Sequence, residues 1–157
     1  MLDRIFPRQL DNRYNGHWMA LVQLGIFVAL KLIIGFNTIF NTRSVAVGGD
    51  GFDLAAIGPA GTQALLMMFS MVALGQLVLG LLALIVLLRY RAMIPLMFLL
   101  LLIEHGSRRA IVLSHAVDRT VTVPVGAYIN LGLLILLVVG LCTSLIWKKG
   151  VRASPPG

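Results

Sequence analysis

The feature that most constrains this chain is a set of long apolar runs, one of which is broken by charge. The first runs from about Trp18 to Phe40, the second from about Gly61 to Leu88, and the last from Pro124 to Trp147. At about 1.5 Å rise per residue, the first alone covers about 34 Å as a helix, enough to cross a bilayer core. A third run starts near Ala92, with Pro95 in its first turn, where proline is tolerated. Its uninterrupted part ends at Ile103, which gives only about 18 Å of apolar helix. Glu104-His105-Gly106-Ser107-Arg108-Arg109 follows, before apolar residues resume at Ala110. A third crossing must carry these charges to about Ser114, or the segment stops there as a re-entrant turn.

Composition supports lipid as the solvent. Of 157 residues, 59% are hydrophobic and 12% are charged, against about 25% charged in a typical soluble domain. Too few polar residues remain to wrap a core in water. The expected fold is all-α, an integral membrane four-helix bundle forming a single membrane domain over residues 1–157. Its spans are expected at about 18–40, 61–88, 92–114 and 124–147.

The connections complete this layout. Residues 1–16 read as an interfacial lead, in which Leu2, Ile5, Phe6 and Leu10 dip into the headgroup layer, although Pro7 weakens a helix there. Ser44-Val45-Ala46 resembles a cleavage site, but the preceding run is too long for a cleaved signal, so it reads as a retained anchor. Residues 41–60 read as a glycine-rich outer loop. Arg89-Tyr90-Arg91 reads as a tight turn that makes spans two and three antiparallel neighbours. The Ala153–Gly157 end is expected to be disordered.

Orientation follows from where the basic residues fall. The lead, the 89–91 turn and the tail hold Arg4, Arg8, Arg13, Arg89, Arg91, Lys148, Lys149 and Arg152. The opposite loops hold only Arg43 and Arg119. With an even number of spans, this split puts both termini in the cytoplasm, with Trp18 and Trp147 at the same interface. The net charge of +7 is therefore spent beside spans. No basic stripe is interleaved with aromatics, and nucleic acid is not expected as a partner.

Charges inside spans cost about 2.5–3.5 kcal/mol each at the bilayer centre on insertion scales, so they default to functional candidates. Lys31 lies about 20 Å beyond Trp18 along its helix, and Glu104 about 18 Å beyond Ala92. Spans one and three run in the same direction, so the two could pair. Gln76 falls at a similar depth on a small-residue stripe with Ala73, Gly80 and Ala83, a pattern that permits close helix contact in lipid. Glu104 and Arg108 share a helix face, which continues through Met97, Leu101, Ile111 and His115, and His105 and Arg109 form a second such pair.

Two readings of these residues stay open. In one, Lys31, Gln76, Glu104, His105, Arg108, Arg109 and Asn130 line a polar pocket in the outer half of the bundle. In the other, the arginines snorkel outward and Glu104 only neutralises a base and fixes register.

No nucleophile elbow, phosphate loop or zinc-protease motif occurs. His105 and His115 are badly spaced for a metal, Gly48-Gly49-Asp50-Gly51 lacks the further acids of a calcium loop, and His17 reads as an interfacial anchor. No metal site is expected. Cys142, the only cysteine, cannot form an internal disulfide and reads as a small filler at a helix contact.

This layout resembles the broad DoxX-like group of small four-helix bacterial membrane proteins. The resemblance rests on the order of spans, the glycine-bearing second span, Arg89-Tyr90-Arg91 and the Gly106-Ser107-Arg108-Arg109 stretch. It implies a four-helix fold in a bacterial inner membrane and no single activity. Two functions are therefore expected as alternatives. One is a non-enzymatic accessory or structural subunit, partnered by lipid and by other membrane subunits or copies of itself. The other is a binding or proton-handling site for a quinone, isoprenoid or lipid. No cofactor is required by either.

Overall fold

The structure is a computed structural model and describes residues 5–7, 9–114 and 124–146. Trp147, His115, the rest of the 115–123 connection and the tail expected to be disordered lie outside the described residues. Among the described residues the fold is helical, with four long helices: α1 Trp18–Phe40, α2 Gly58–Arg89, α3 Ile94–Ser114 and α4 Val125–Leu145. Three of them, α1, α2 and α4, are long and apolar enough to cross a membrane. α3 matches α4 in length, at 21 residues, but carries Glu104, Arg108 and Arg109 in its second half.

The helices are apolar nearly all round, not on one stripe. Ile33, Phe36 and Phe40 of α1, Met67, Met68 and Met71 of α2, and Ile135 and Val139 of α4 all point outward. Contiguous outward apolar surface of this kind calls for lipid as its solvent.

Without a hydrophobic drive between helices in lipid, close packing must come from small residues and shape. α1 is the hub, packing broadly on α2 and on α4, while α3 packs chiefly on α4. Along the α1–α2 seam, a Cβ at Gly35 would lie 3.6 Å from the Ala73 carbonyl oxygen, and one at Gly80 would lie 3.0 Å from Leu32 Cδ2. Ala73, Gly80 and Ala83 are all buried there, as the small-residue stripe predicts. On the α3–α4 seam, the Phe98 ring occupies the space that a side chain at Gly140 would need. Leu24, Phe27, Phe98, Leu101 and Leu137 are fully enclosed and form the core. The short 89–91 turn predicts that α2 and α3 are antiparallel neighbours, which by itself leaves the extent of their contact open. They touch only slightly, because each has a better-fitting partner in α1 or α4. Cys142 is exposed on the outer surface and not at a helix contact.

The bundle has two different ends. At the turn end, α2 stops at Arg89 and a short 3₁₀ turn over Arg91–Met93 leads into α3. The Arg91 Nε donates to the Leu87 carbonyl at 3.1 Å. The lead folds back here, with the Ala92 amide donating to the Asp11 carbonyl at 3.3 Å and Tyr14 packed against the core. His17 caps α1, its Nδ1 accepting from the Met19 amide at 3.2 Å.

At the loop end, the segment expected as an irregular loop over 41–60 is largely wound. A helical turn at Thr42–Ser44 passes into a π-helical turn over Val45–Gly49. Ala46 and Leu54 are buried beneath it, and Thr42 shares a hydrogen bond of 3.1 Å with Ser70 of α2. Burial and cross-helix bonding thus override the local glycine signal. α2 starts at Gly58, earlier than the expected Gly61, because Gly58 takes a φ of +69° that L side chains rarely adopt, and Pro59 follows in the first turn.

Candidate functional site

α1 carries Lys31 into the bundle with only 3% of its surface exposed. The absence of a side chain at Gly80 makes room for its stem, since a Cβ there would lie 3.7 Å from Lys31 Cγ. Lys31 Nζ donates to Glu104 Oε2 at 2.7 Å and lies 5.5 Å from the centre of the Phe27 ring. Glu104 also accepts from Arg108 Nη2, one turn along α3. A single carboxylate therefore serves two bases, one from another helix and one from its own. A lysine this deeply enclosed is tolerable only with its charge met, since removing one member of a buried pair typically costs about 3–5 kcal/mol.

His105 is the more deeply set neighbour. It is 5% exposed, and its ring meets Phe27 edge-on at 5.9 Å. The buried face of α3 runs through Ile94, Phe98, Leu101 and His105. The face drawn from the Glu104–Arg108 pairing is thus turned away from the centre beyond Leu101, and Ile111 at its end is 60% exposed. His105 Nδ1 lies 3.4 Å from Glu104 Oε2. An ionised carboxylate only accepts, so Nδ1 carries the proton in this contact. Nε2, on the other edge of the ring, is buried and has no hydrogen-bond partner among the described residues.

His105 lines a cavity of about 190 Å³ toward the loop end, together with Arg108, Arg109, Asn130, Phe52 and Asp50. Phe52 of the loop stands edge-on to Phe69 of α2 at 5.5 Å and makes an apolar wall. Asp50 is held against the start of α4, where a Cβ at Gly126 would lie 2.8 Å from its Oδ1 and 3.0 Å from the Gly49 carbonyl oxygen. Only glycine admits this approach, and a carboxylate at a helix N-terminus is favoured by the helix dipole.

The structure thus places Lys31, Glu104, His105 and Arg108 in one connected group, and adds Arg109 and Asn130 around the adjoining cavity. Gln76 does not join them. It is half-buried on α2 and makes no side-chain hydrogen bond among the described residues. Sequence reasoning missed Asp50, Phe52 and Phe69 as lining residues. The one available signal was the small residue at Gly126, and it identifies no partner by itself. Among the described residues, no three His, Cys, Asp or Glu side chains converge as a metal site would need.

No family model, curated protein or solved structure matches this chain.

Proposed function

We propose that this protein is a four-span membrane protein, with both termini cytoplasmic, that holds the polar head of a membrane-soluble small molecule in the loop-end cavity. The observation that carries this reading is the orphaned Nε2 of His105, a buried residue that lines a cavity together with two arginines and an amide. A buried polar atom without a partner costs about 1–3 kcal/mol, and a ligand that hydrogen-bonds to it recovers that loss. The uneven basic count supports the orientation, which puts the cavity in the outer half of the bilayer. A bacterial inner membrane, and a four-helix architecture like that of the DoxX-like group, belong to the same proposal. Lys31 and Glu104 act as the fixed electrostatic floor of the site, and no bond-making step is assigned to them.

The test is to purify the protein in mild detergent and identify retained small molecules by mass spectrometry of extracts. A stoichiometric molecule lost in His105→Phe supports the reading. A protein that retains nothing, at any lipid composition, refutes it. A second reading, an accessory subunit, draws on the exposed methionines Met67, Met68 and Met71 of α2, since flexible thioethers suit contact with varied partners. It predicts a co-purifying membrane protein that is lost when these methionines are replaced by leucine.

A further inference from the structure

We infer that the cavity takes an anionic head bearing a hydroxyl, of the phosphoglycerol type, with its phosphate at Arg109 and its hydroxyl at His105 Nε2. This inference rests on the binding reading above and names its ligand class.

Among the described residues, the charges around the cavity do not balance. Arg108 and Lys31 share the Glu104 carboxylate. Arg109 lines the cavity half-buried and has no ion-pair or hydrogen-bond partner among the described residues. Counting Lys31, Arg108 and Arg109 against Glu104 and Asp50 leaves one positive charge in excess among these residues. A planar guanidinium pairs bidentately with phosphate oxygens, which suits an anion at Arg109.

His105 adds a different demand. In the neutral tautomer with Nδ1–H toward Glu104, Nε2 is an acceptor. An anionic oxygen would be repelled there, whereas a hydroxyl donates to it. The ligand therefore needs a donor close to its charge, and the Asn130 amide, able both to donate and to accept, suits such a mixed head. Size sets the remaining limit. About 190 Å³ holds about six waters at about 30 Å³ each, enough for a head and not for acyl chains. Val112 lines the cavity and is 47% exposed, so the cavity reaches the bundle surface, where tails could stay in lipid.

The same head chemistry occurs on a phospholipid and on free glycerol phosphate, and one experiment separates them. The protein is reconstituted in phosphatidylcholine nanodiscs doped with phosphatidylglycerol, and retained lipid is read by native mass spectrometry. Phosphatidylglycerol is expected to be retained about tenfold over phosphatidylcholine, the scale of one charge-assisted contact. Arg109→Gln should erase the preference, while Arg43→Gln, an exposed arginine at the same end, should keep it. Phosphatidylmethanol, with the same charge and no hydroxyl, should be retained less well, and His105→Phe should remove that difference. Competition by soluble glycerol 3-phosphate would identify the free ester as the source, and its failure to compete would identify the lipid. Equal losses in the Arg43 and Arg109 variants would reduce the preference to surface charge and overturn the inference. Retention of a neutral molecule instead would overturn it while leaving the binding reading standing. Retention of nothing would remove both.

Discussion

The turn half and the loop half of this bundle are built on opposite rules. In the turn half, Leu24, Phe98 and Leu137 interlock, and the polar groups beside them are uncharged: Thr143 donates to Gln23 at 2.6 Å and the buried Ser144 donates to the Leu141 carbonyl at 2.7 Å. In the loop half, a lysine, a glutamate, an arginine and a histidine stand where apolar packing would be simpler. Among the described residues, each half also encloses one buried side-chain polar atom without a partner, the Tyr14 hydroxyl in one and His105 Nε2 in the other. The His105 atom belongs to a residue that lines the cavity with Arg109. Tyr14 packs against the apolar core. An orphaned atom against solid packing is a packing cost, whereas one on a residue that lines a polar cavity could be satisfied by a ligand.

The strongest way to break this contrast is to remove Glu104. Glu104→Leu strips Lys31 and Arg108 of their shared partner and should cost about 3–5 kcal/mol, read by denaturant unfolding in micelles. Lys31→Met should cost less, since Arg108 still meets the carboxylate. The double variant should recover much of the single-variant loss, because the deeply buried Lys31 charge goes with its partner and only the partly exposed Arg108 is left without the carboxylate. If Glu104→Leu unfolds like the wild type, the ionic group holds nothing together.

The turn half should respond to volume and not to charge. Gly140→Leu drives a side chain into the space of the Phe98 ring and should cost about 1–3 kcal/mol. Pairing it with Phe98→Ala should give a milder result than the sum of the two, since one change fills the space that the other vacates. Strict additivity in unfolding would show that the seam is not packed as described.

These two halves were unequally legible in the sequence. α1, α2 and α4 announce themselves as apolar runs, and rise per residue alone puts Lys31 and Glu104 at matching depth. The stripe of Ala73, Gly80 and Ala83 also reads correctly as a contact face, because small residues have few other uses in lipid. The loop half was harder. The i, i+4 acid–base spacing favours the Glu104 face, and nothing local reveals that His105 turns further inward. The glycines of 48–51 signal a loop, while the winding over Val45–Gly49 depends on burying Ala46 and on the approach to Gly126. These are long-range contacts, and short-range patterns do not encode them.

Replacing His105 sharpens the contrast from the loop side. Phe preserves the edge-on contact with Phe27 and removes the orphaned nitrogen. His105→Phe should therefore change stability little, relief of the orphaned nitrogen offsetting the lost Nδ1 contact with Glu104, while weakening retention of the bound molecule. A variant that is both weaker in binding and strongly destabilised would make His105 a structural residue.

The smallest effect is expected at Tyr14. Burial pushes its phenol from the usual 10.0 up to about 12. The unfolded chain thus gives up the proton first as pH rises. Between about pH 10 and 12 the unfolded state binds fewer protons than the folded one, so stability should fall with pH across that window, and Tyr14 contributes no such loss below it. Tyr14→Phe should flatten the alkaline limb of an unfolding titration and leave ligand retention unchanged. His105→Phe should do the reverse, leaving the alkaline limb intact and losing the ligand. If both substitutions changed ligand retention, the two orphaned atoms would not be different in kind, and the division between a packing half and a binding half would fail.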